Sequence, residues 1–119
     1  MISSNNFIED YREYAVMHWK ASHEGDYKTA NKNYAKLTEF FELLQNSREL
    51  REETLPQLLN DSNYSVQAWV AAHCLGLKIY QDQAISILEY ISEMSSREAP
   101  SFEAKMSLKV WKEKGMLTF

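Results

Sequence analysis

The sequence is poor in features that hold a protein together covalently or place it in a membrane. It has one cysteine among 119 residues, Cys74, so it cannot form an internal disulfide. No apolar run approaches the roughly 20 residues that a membrane-spanning helix needs. The segment Met1 to Asp10 has no basic stretch followed by an apolar core, which predicts that there is no signal peptide. We therefore expect a cytoplasmic protein without membrane association.

Glycine and proline are also scarce, with three and two residues respectively. Strands joined by tight turns usually use more of both, whereas apolar residues recur here at helical spacing. The clearest stripe contains Ala30, Tyr34, Leu37, Phe41 and Leu44. The pattern predicts six helices. The first covers about 5–22, the second begins after a cap at Asp26, and the third begins after the capping residues at 46–48. The last three cover about 66–77, 81–94 and 100–114.

The C-terminal half contains two similar stretches about 36 residues apart, which end in Val66-Gln67-Ala68 and Phe102-Glu103-Ala104. Each has an apolar helix, a polar turn and a second helix with alanine two residues after a large apolar residue. This plan predicts an all-α fold whose antiparallel hairpins stack as a short HEAT-like array. We expect one domain over 1–119, with an N-terminal hairpin at 5–48 and two HEAT-like pairs at 49–115.

The charge balance disfavours nucleic acid as a partner. The net charge is −4, and the one cationic cluster, Lys105, Lys109, Lys112 and Lys114, lies on the last predicted helix. Nucleic-acid binders need clustered cations that displace counterions from phosphates. Nucleic-acid binding through these lysines is the first alternative to protein binding.

Recognisable catalytic motifs are missing. The sequence has no GxGxxG, GK[ST], GxSxG or HExxH pattern. His18 and His23 point about 140° apart on a helix, and the adjacent His73 and Cys74 also diverge. We expect no enzyme activity, metal or cofactor; the second alternative is an enzyme with a non-standard site around His73 or His18.

Two groups of residues are candidates for binding another protein. In HEAT-like stacks the second helices line one concave face, and here those helices would carry Tyr64, Gln67, Trp69, His73, Lys105 and Lys109. Around the third helix, an acidic patch of Glu49, Glu52, Glu53 and Asp61 would suit a basic partner.

Most of the chain, from about Tyr14, resembles a known bacterial family. The residues that carry the resemblance are Leu59-Asn60-Asp61, Val66 to His73, Phe102 to Leu108, Trp111 to Leu117, and the N-terminal Gly25-Asp26-Tyr27-Lys28 with Ala30-Asn31-Lys32. They are similar to the bacterial domain of unknown function 2019. The resemblance implies a HEAT-like fold, no catalytic residues, and a role as an immunity protein beside a secreted toxin. The family often has arginine after the valine, where this chain has Gln67.

We therefore expect a non-enzymatic, cytoplasmic protein-binding module of the immunity or antitoxin type, which blocks a partner such as a basic toxin by occupying its surface. The last residues, Met116 to Phe119, form an apolar tail. The tail either covers the last helical pair or reaches a second copy. A monomer and a weak homodimer are both compatible with the sequence.

Overall fold

In a computed structural model of the chain, residues 3–117 and 119 are described. Met1, Ile2 and Thr118, the last of which belongs to the predicted apolar tail, lie outside the described residues. The described residues form six helices and no strand: α1 (Ser4–His23), α2 (Tyr27–Asn46), α3 (Arg48–Leu59), α4 (Tyr64–Leu77), α5 (Gln81–Ser92) and α6 (Ser101–Lys114). The predicted all-α, six-helix architecture is confirmed. None of the described helices is long and apolar enough to cross a membrane.

The helices divide into two compact units, Met1–Asn60 and Asp61–Phe119. In the first unit, α1, α2 and α3 pack against one another. Its core is aromatic. The ring of Phe7 lies 5.3 Å from that of Phe40 in an edge-to-face arrangement, and Tyr11 lies 5.9 Å from Phe7. Aromatic pairs in this geometry contribute beyond the apolar area that they bury.

Local capping side chains set the helix starts of the first unit. The carboxylate of Asp26 accepts a hydrogen bond from the Thr29 amide at 3.2 Å, and the Ser47 hydroxyl accepts one from the Leu50 amide at 3.1 Å. Both caps satisfy amides that have no partner inside their helix. The α2 stripe is buried except at Tyr34, which is 43% exposed, and Asn33 is buried instead. Such an apolar stripe predicts burial of each of its members, and this prediction is wrong for Tyr34.

In the second unit, α5 packs against both α4 and α6. Helix α4 is buried around most of its circumference, consistent with its small residues, whereas α5 and α6 each bury one face. The α4–α5 turn contains two non-glycine residues in the left-handed region, Lys78 (φ 61°) and Tyr80 (φ 50°). Helix α6 ends at Lys114 and is followed by Gly115 (φ 68°), whose left-handed conformation suits glycine.

The described contacts of α3 are with α1 and α2, whereas the sequence pattern pairs α3 with α4. The predicted division into a hairpin at 5–48 and two pairs at 49–115 stays a prediction, as does the HEAT-like stacking.

Candidate functional site

The outward face of α6 exposes two large apolar side chains. Phe102 is 69% exposed and Met106, one turn later, is 40% exposed. Ala104 and Leu108 are buried on the opposite side of the helix. Because each helical residue turns by about 100°, a side chain two positions from a buried one points away from the core. Anchoring of the helix by Ala104 and Leu108 therefore holds Phe102 and Met106 toward solvent.

Three lysines, Lys105, Lys109 and Lys112, lie beside this apolar pair on α6 and are all exposed. The ion pairs in the described part of the chain, Lys36–Glu39 and Arg48–Glu52, lie in the first unit and involve none of these lysines. Phe102, Met106 and the three lysines together are called the α6 face below. It is an apolar centre with a cationic stripe along one side, and α6 also exposes the carboxylates of Glu103 and Glu113.

Phe102 and Met106 were not among the predicted binding residues, although Lys105 and Lys109 were. The internal repeat aligns Phe102 with Val66, which is fully buried in α4. The two positions differ because α4 is enclosed around most of its circumference and α6 on only one side. A helical projection centred on Ala104 and Leu108 would have indicated the outward direction of Phe102.

Two carboxylates of the predicted acidic patch on α3 already have hydrogen-bond partners within the chain. Glu49, Glu52 and Glu53 are exposed on α3. The Glu52 carboxylate accepts a hydrogen bond from Arg48 Nε at 2.9 Å, and Glu53 accepts one from the Ser4 hydroxyl. Arg51 does not join this surface pair, because its guanidinium donates to the backbone carbonyl of Leu44 at 2.7 Å and of Gln45 at 3.0 Å.

Asp61, the fourth member of the predicted patch, belongs to the second unit and has a local structural role. Its carboxylate accepts a hydrogen bond from the Asn63 amide at 2.8 Å, and its carbonyl oxygen accepts one from Gln67 Nε2. Asn63 in turn caps α4 by accepting from the amides of Ser65 and Val66. Asp61 and Gln67 therefore stabilise the turn that begins α4.

The other α4 residues predicted to bind a partner are largely packed within the second unit. Tyr64 is half-buried, with its ring 6.4 Å from that of Tyr90. Trp69 is half-buried against His73, with ring centroids 5.5 Å apart. His73 is fully buried, so a partner could reach its imidazole only if the surrounding side chains moved.

Burial determines the chemistry of His73 and Cys74. It lowers the pKa of His73 to about 3 and raises the pKa of the Cys74 thiol to about 12. A nucleophilic cysteine needs a lowered pKa and a base that can take its proton. Both pKa shifts disfavour nucleophilic catalysis by Cys74, because the His73 imidazole is a weak base here and the thiol stays protonated. In the described residues, no group of three or more His, Cys, Asp or Glu side chains could hold a metal ion.

A cleft of about 330 Å³ lies within the first unit, between the start of α1 and the middle of α2. The Lys36 ammonium lies 5.6 Å from the centroid of the Phe40 ring and 3.2 Å from the Glu39 carboxylate. The cleft thus contains its own cation and anion, in contact with each other. It is lined by Ser3, Asn6, Phe7, Asp10, Lys36, Glu39, Phe40 and Leu43.

Comparison of the chain with protein families, with curated proteins and with solved structures gives no match. The resemblance to the bacterial domain of unknown function 2019 stays a prediction. Of the residues described above, the α6 face has the composition best suited to binding a macromolecule.

Proposed function

We propose that the protein is a non-enzymatic, cytoplasmic protein-binding module, and that the α6 face is a surface through which it binds. The observation that carries this proposal is the exposure of Phe102 and Met106 side by side on α6. Phenylalanine and methionine are enriched in the buried cores of protein interfaces, where charged residues are depleted. Transfer of these side chains from water into a partner's pocket would be the main favourable contribution to binding.

The chemistry of the cationic stripe indicates the kind of partner. Lys105, Lys109 and Lys112 lie along one side of the apolar pair, and with Lys114 they outnumber the two exposed acids of α6, Glu103 and Glu113. Cations at the edge of an interface steer a partner of opposite charge and select against a basic one. The α6 face therefore suits an acidic protein surface with an apolar depression.

An immunity or antitoxin role is the finer form of this proposal: the module blocks a partner by occupying its surface. A basic toxin would engage a different region, the exposed carboxylates of Glu49, Glu52 and Glu53 on α3. The triple variant Glu49→Gln/Glu52→Gln/Glu53→Gln tests that region separately. If the partner is a toxin, the activity of the toxin should fall to zero when an equimolar amount of this protein is added.

The experiment uses three tagged forms of the whole chain as baits in the cells that produce it: wild type, Phe102→Ser/Met106→Ser, and Tyr27→Ser. Tyr27 is the matched control, because it is an aromatic residue of the first unit that is 72% exposed. We expect one protein to be retained by wild type and by Tyr27→Ser but lost with the α6 variant. The retained protein, once purified, should bind the Phe102→Ser/Met106→Ser variant at least about tenfold more weakly than it binds wild type, as expected when interface anchors are removed.

Equal retention of every protein by the wild-type and α6 baits would contradict the assignment of the surface. Absence of any retained protein at low salt would contradict protein binding as the function. Circular dichroism of the three baits establishes that each is folded.

Nucleic-acid binding is the second candidate, because Lys105, Lys109 and Lys112 form an exposed cationic stripe along α6. Binding to DNA should then weaken steeply with salt and disappear in Lys105→Gln/Lys109→Gln/Lys112→Gln. Substitution of Phe102 by serine should have little effect on an interaction with phosphates alone. Fluorescence anisotropy of a labelled duplex over a salt series distinguishes this candidate from protein binding.

A further inference from the structure

The outward side of α5 has the opposite charge to the α6 face. Asp82 and Glu89 are exposed there, Glu93 is exposed immediately after the helix ends, and no lysine or arginine occurs in Gln81–Ser92. Successive spacings of seven and four residues place the three carboxylates within a narrow arc of the helix. They form an acidic stripe, called the α5 stripe below.

The two stripes lie on helices that pack against each other in the same unit, α5 and α6. The ion pairs found among the described residues, Lys36–Glu39 and Arg48–Glu52, include no member of either stripe. Three anions on α5 and three cations on α6 are therefore left to interact with solvent or with another molecule. Charge complementarity of this kind orients two docking surfaces.

Each stripe also has a large exposed side chain close to it. Tyr90 on α5 is 61% exposed, and its ring packs against the half-buried ring of Tyr64. Phe102 and Met106 lie beside the lysines of α6. Tyrosine, phenylalanine and methionine are the residues that interface cores favour. Both helices thus present an apolar anchor beside a charge stripe, and the signs of the stripes are opposite.

We infer that the occupant of the α6 face is a second copy of this chain, which docks its α5 stripe there. Because each copy has both stripes, a two-fold arrangement brings α6 of one copy onto α5 of the other twice in one interface. The carboxylates of Asp82, Glu89 and Glu93 then face the ammonium groups of the partner's lysines. This inference rests on the proposed function, since it names the partner of the same surface.

The arrangement predicts an unusual result for charge reversal. In the homodimer of a Lys105→Glu/Lys109→Glu variant, the α6 face has become acidic and lies on the acidic α5 stripe of the other copy. In the homodimer of a Glu89→Lys/Glu93→Lys variant, the α5 stripe has become basic and lies on the basic α6 face of the other copy. Both homodimers contain two repulsive contacts. In a mixture of the two variants, each α5–α6 contact of the mixed dimer again joins opposite charges, so association should return.

The measurement is sedimentation equilibrium of the whole chain at low salt and at concentrations up to on the order of 100 μM. Wild type should associate reversibly to twice the mass of one chain, and added salt should weaken this association. Each charge-reversed variant alone should associate at least about tenfold more weakly, and the equimolar mixture should recover the dimer. Phe102→Ser should also weaken it, whereas Tyr27→Ser should not.

A wild type that stays a single chain under these conditions overturns the inference. So does a folded pair of charge-reversed variants whose mixture does not associate, or variants that each associate as strongly as wild type. In all these cases the proposed function still holds if the wild-type bait retains a different protein that the Phe102→Ser/Met106→Ser bait loses. It fails together with the inference only if no protein depends on the α6 face.

Discussion

The ring of Phe119, the last residue of the sequence, meets the ring of His73 edge to face, with centroids 4.7 Å apart and planes at 89°. Trp69 contacts the same imidazole from within α4, at 5.5 Å. His73 itself has no exposed surface. Water can therefore not solvate a charged imidazole at this position, and burial lowers the pKa of His73 to about 3.

This shift in pKa makes stability depend on pH. The unfolded chain, in which the histidine pKa returns to its ordinary value of 6.5, binds a proton that folded His73 does not accept until about pH 3. The stabilising contribution is complete above pH 6.5 and is lost as the pH falls toward 3, by up to about 1.4 kcal/mol per pH unit. We expect His73→Gln to reduce the loss of unfolding free energy between pH 7 and 4.5 by about 2 kcal/mol.

Urea unfolding at both pH values measures this difference. Asn31→Gln, which changes an exposed residue of α2 that does not titrate, is the control and should keep the wild-type dependence. An identical pH dependence in wild type and His73→Gln would show that His73 is not held neutral by burial.

Removal of the Phe119 ring should open His73 to water. In Phe119→Ala the pKa of His73 should rise toward its ordinary value, and stability at pH 7 should fall by about 1 kcal/mol through loss of the aromatic pair. Titration of the His73 ring proton by NMR gives the pKa. Phe102→Ala is the matched control, because it removes an exposed phenylalanine from α6. An unchanged His73 titration in Phe119→Ala would contradict a shielding role for Phe119.

Cys74 should react with thiol reagents only when the protein opens. It is fully buried, and burial raises the pKa of its thiol to about 12, so the reactive thiolate is rare in the folded state. We expect its labelling in native buffer to be at least about a hundredfold slower than in urea. Ser62→Cys in a Cys74→Ala background has an exposed thiol and is the control for intrinsic reactivity. Equal labelling rates at the two positions would contradict the burial of Cys74.

The left-handed residue Lys78 at the end of α4 offers a stabilising substitution. A residue with a Cβ atom is disfavoured at its φ of 61°, whereas glycine is not. Lys78→Gly should raise the free energy of unfolding by about 1 kcal/mol. Lys32→Gly, inside α2, should lower it by about the same amount, because glycine is unfavourable in a helix interior. Destabilisation by both substitutions would rule out relief of backbone strain at Lys78.

Much of the fold could be predicted from the sequence because many helix ends depend on residues close in the chain. Asp26, Ser47 and Asn63 each accept hydrogen bonds from amides two or three residues away. Gly115 ends α6 for an equally local reason, since its positive φ suits glycine. The candidate site is only partly predictable: Lys105 and Lys109 lie on the second helices that the HEAT-like plan assigns to the binding face, whereas the repeat aligns Phe102 with Val66, which is buried.

The sequence by itself determined the helical class, most of the helix boundaries and the positions of the charged residues. These follow from propensity, capping and periodicity, which act over a few residues. Only the tertiary structure decided that Asn33 rather than Tyr34 is buried, that α3 packs on α1 and α2, and that Phe102 faces solvent while His73 does not. Each of these depends on which neighbour covers a helix face, and that neighbour is distant in the chain.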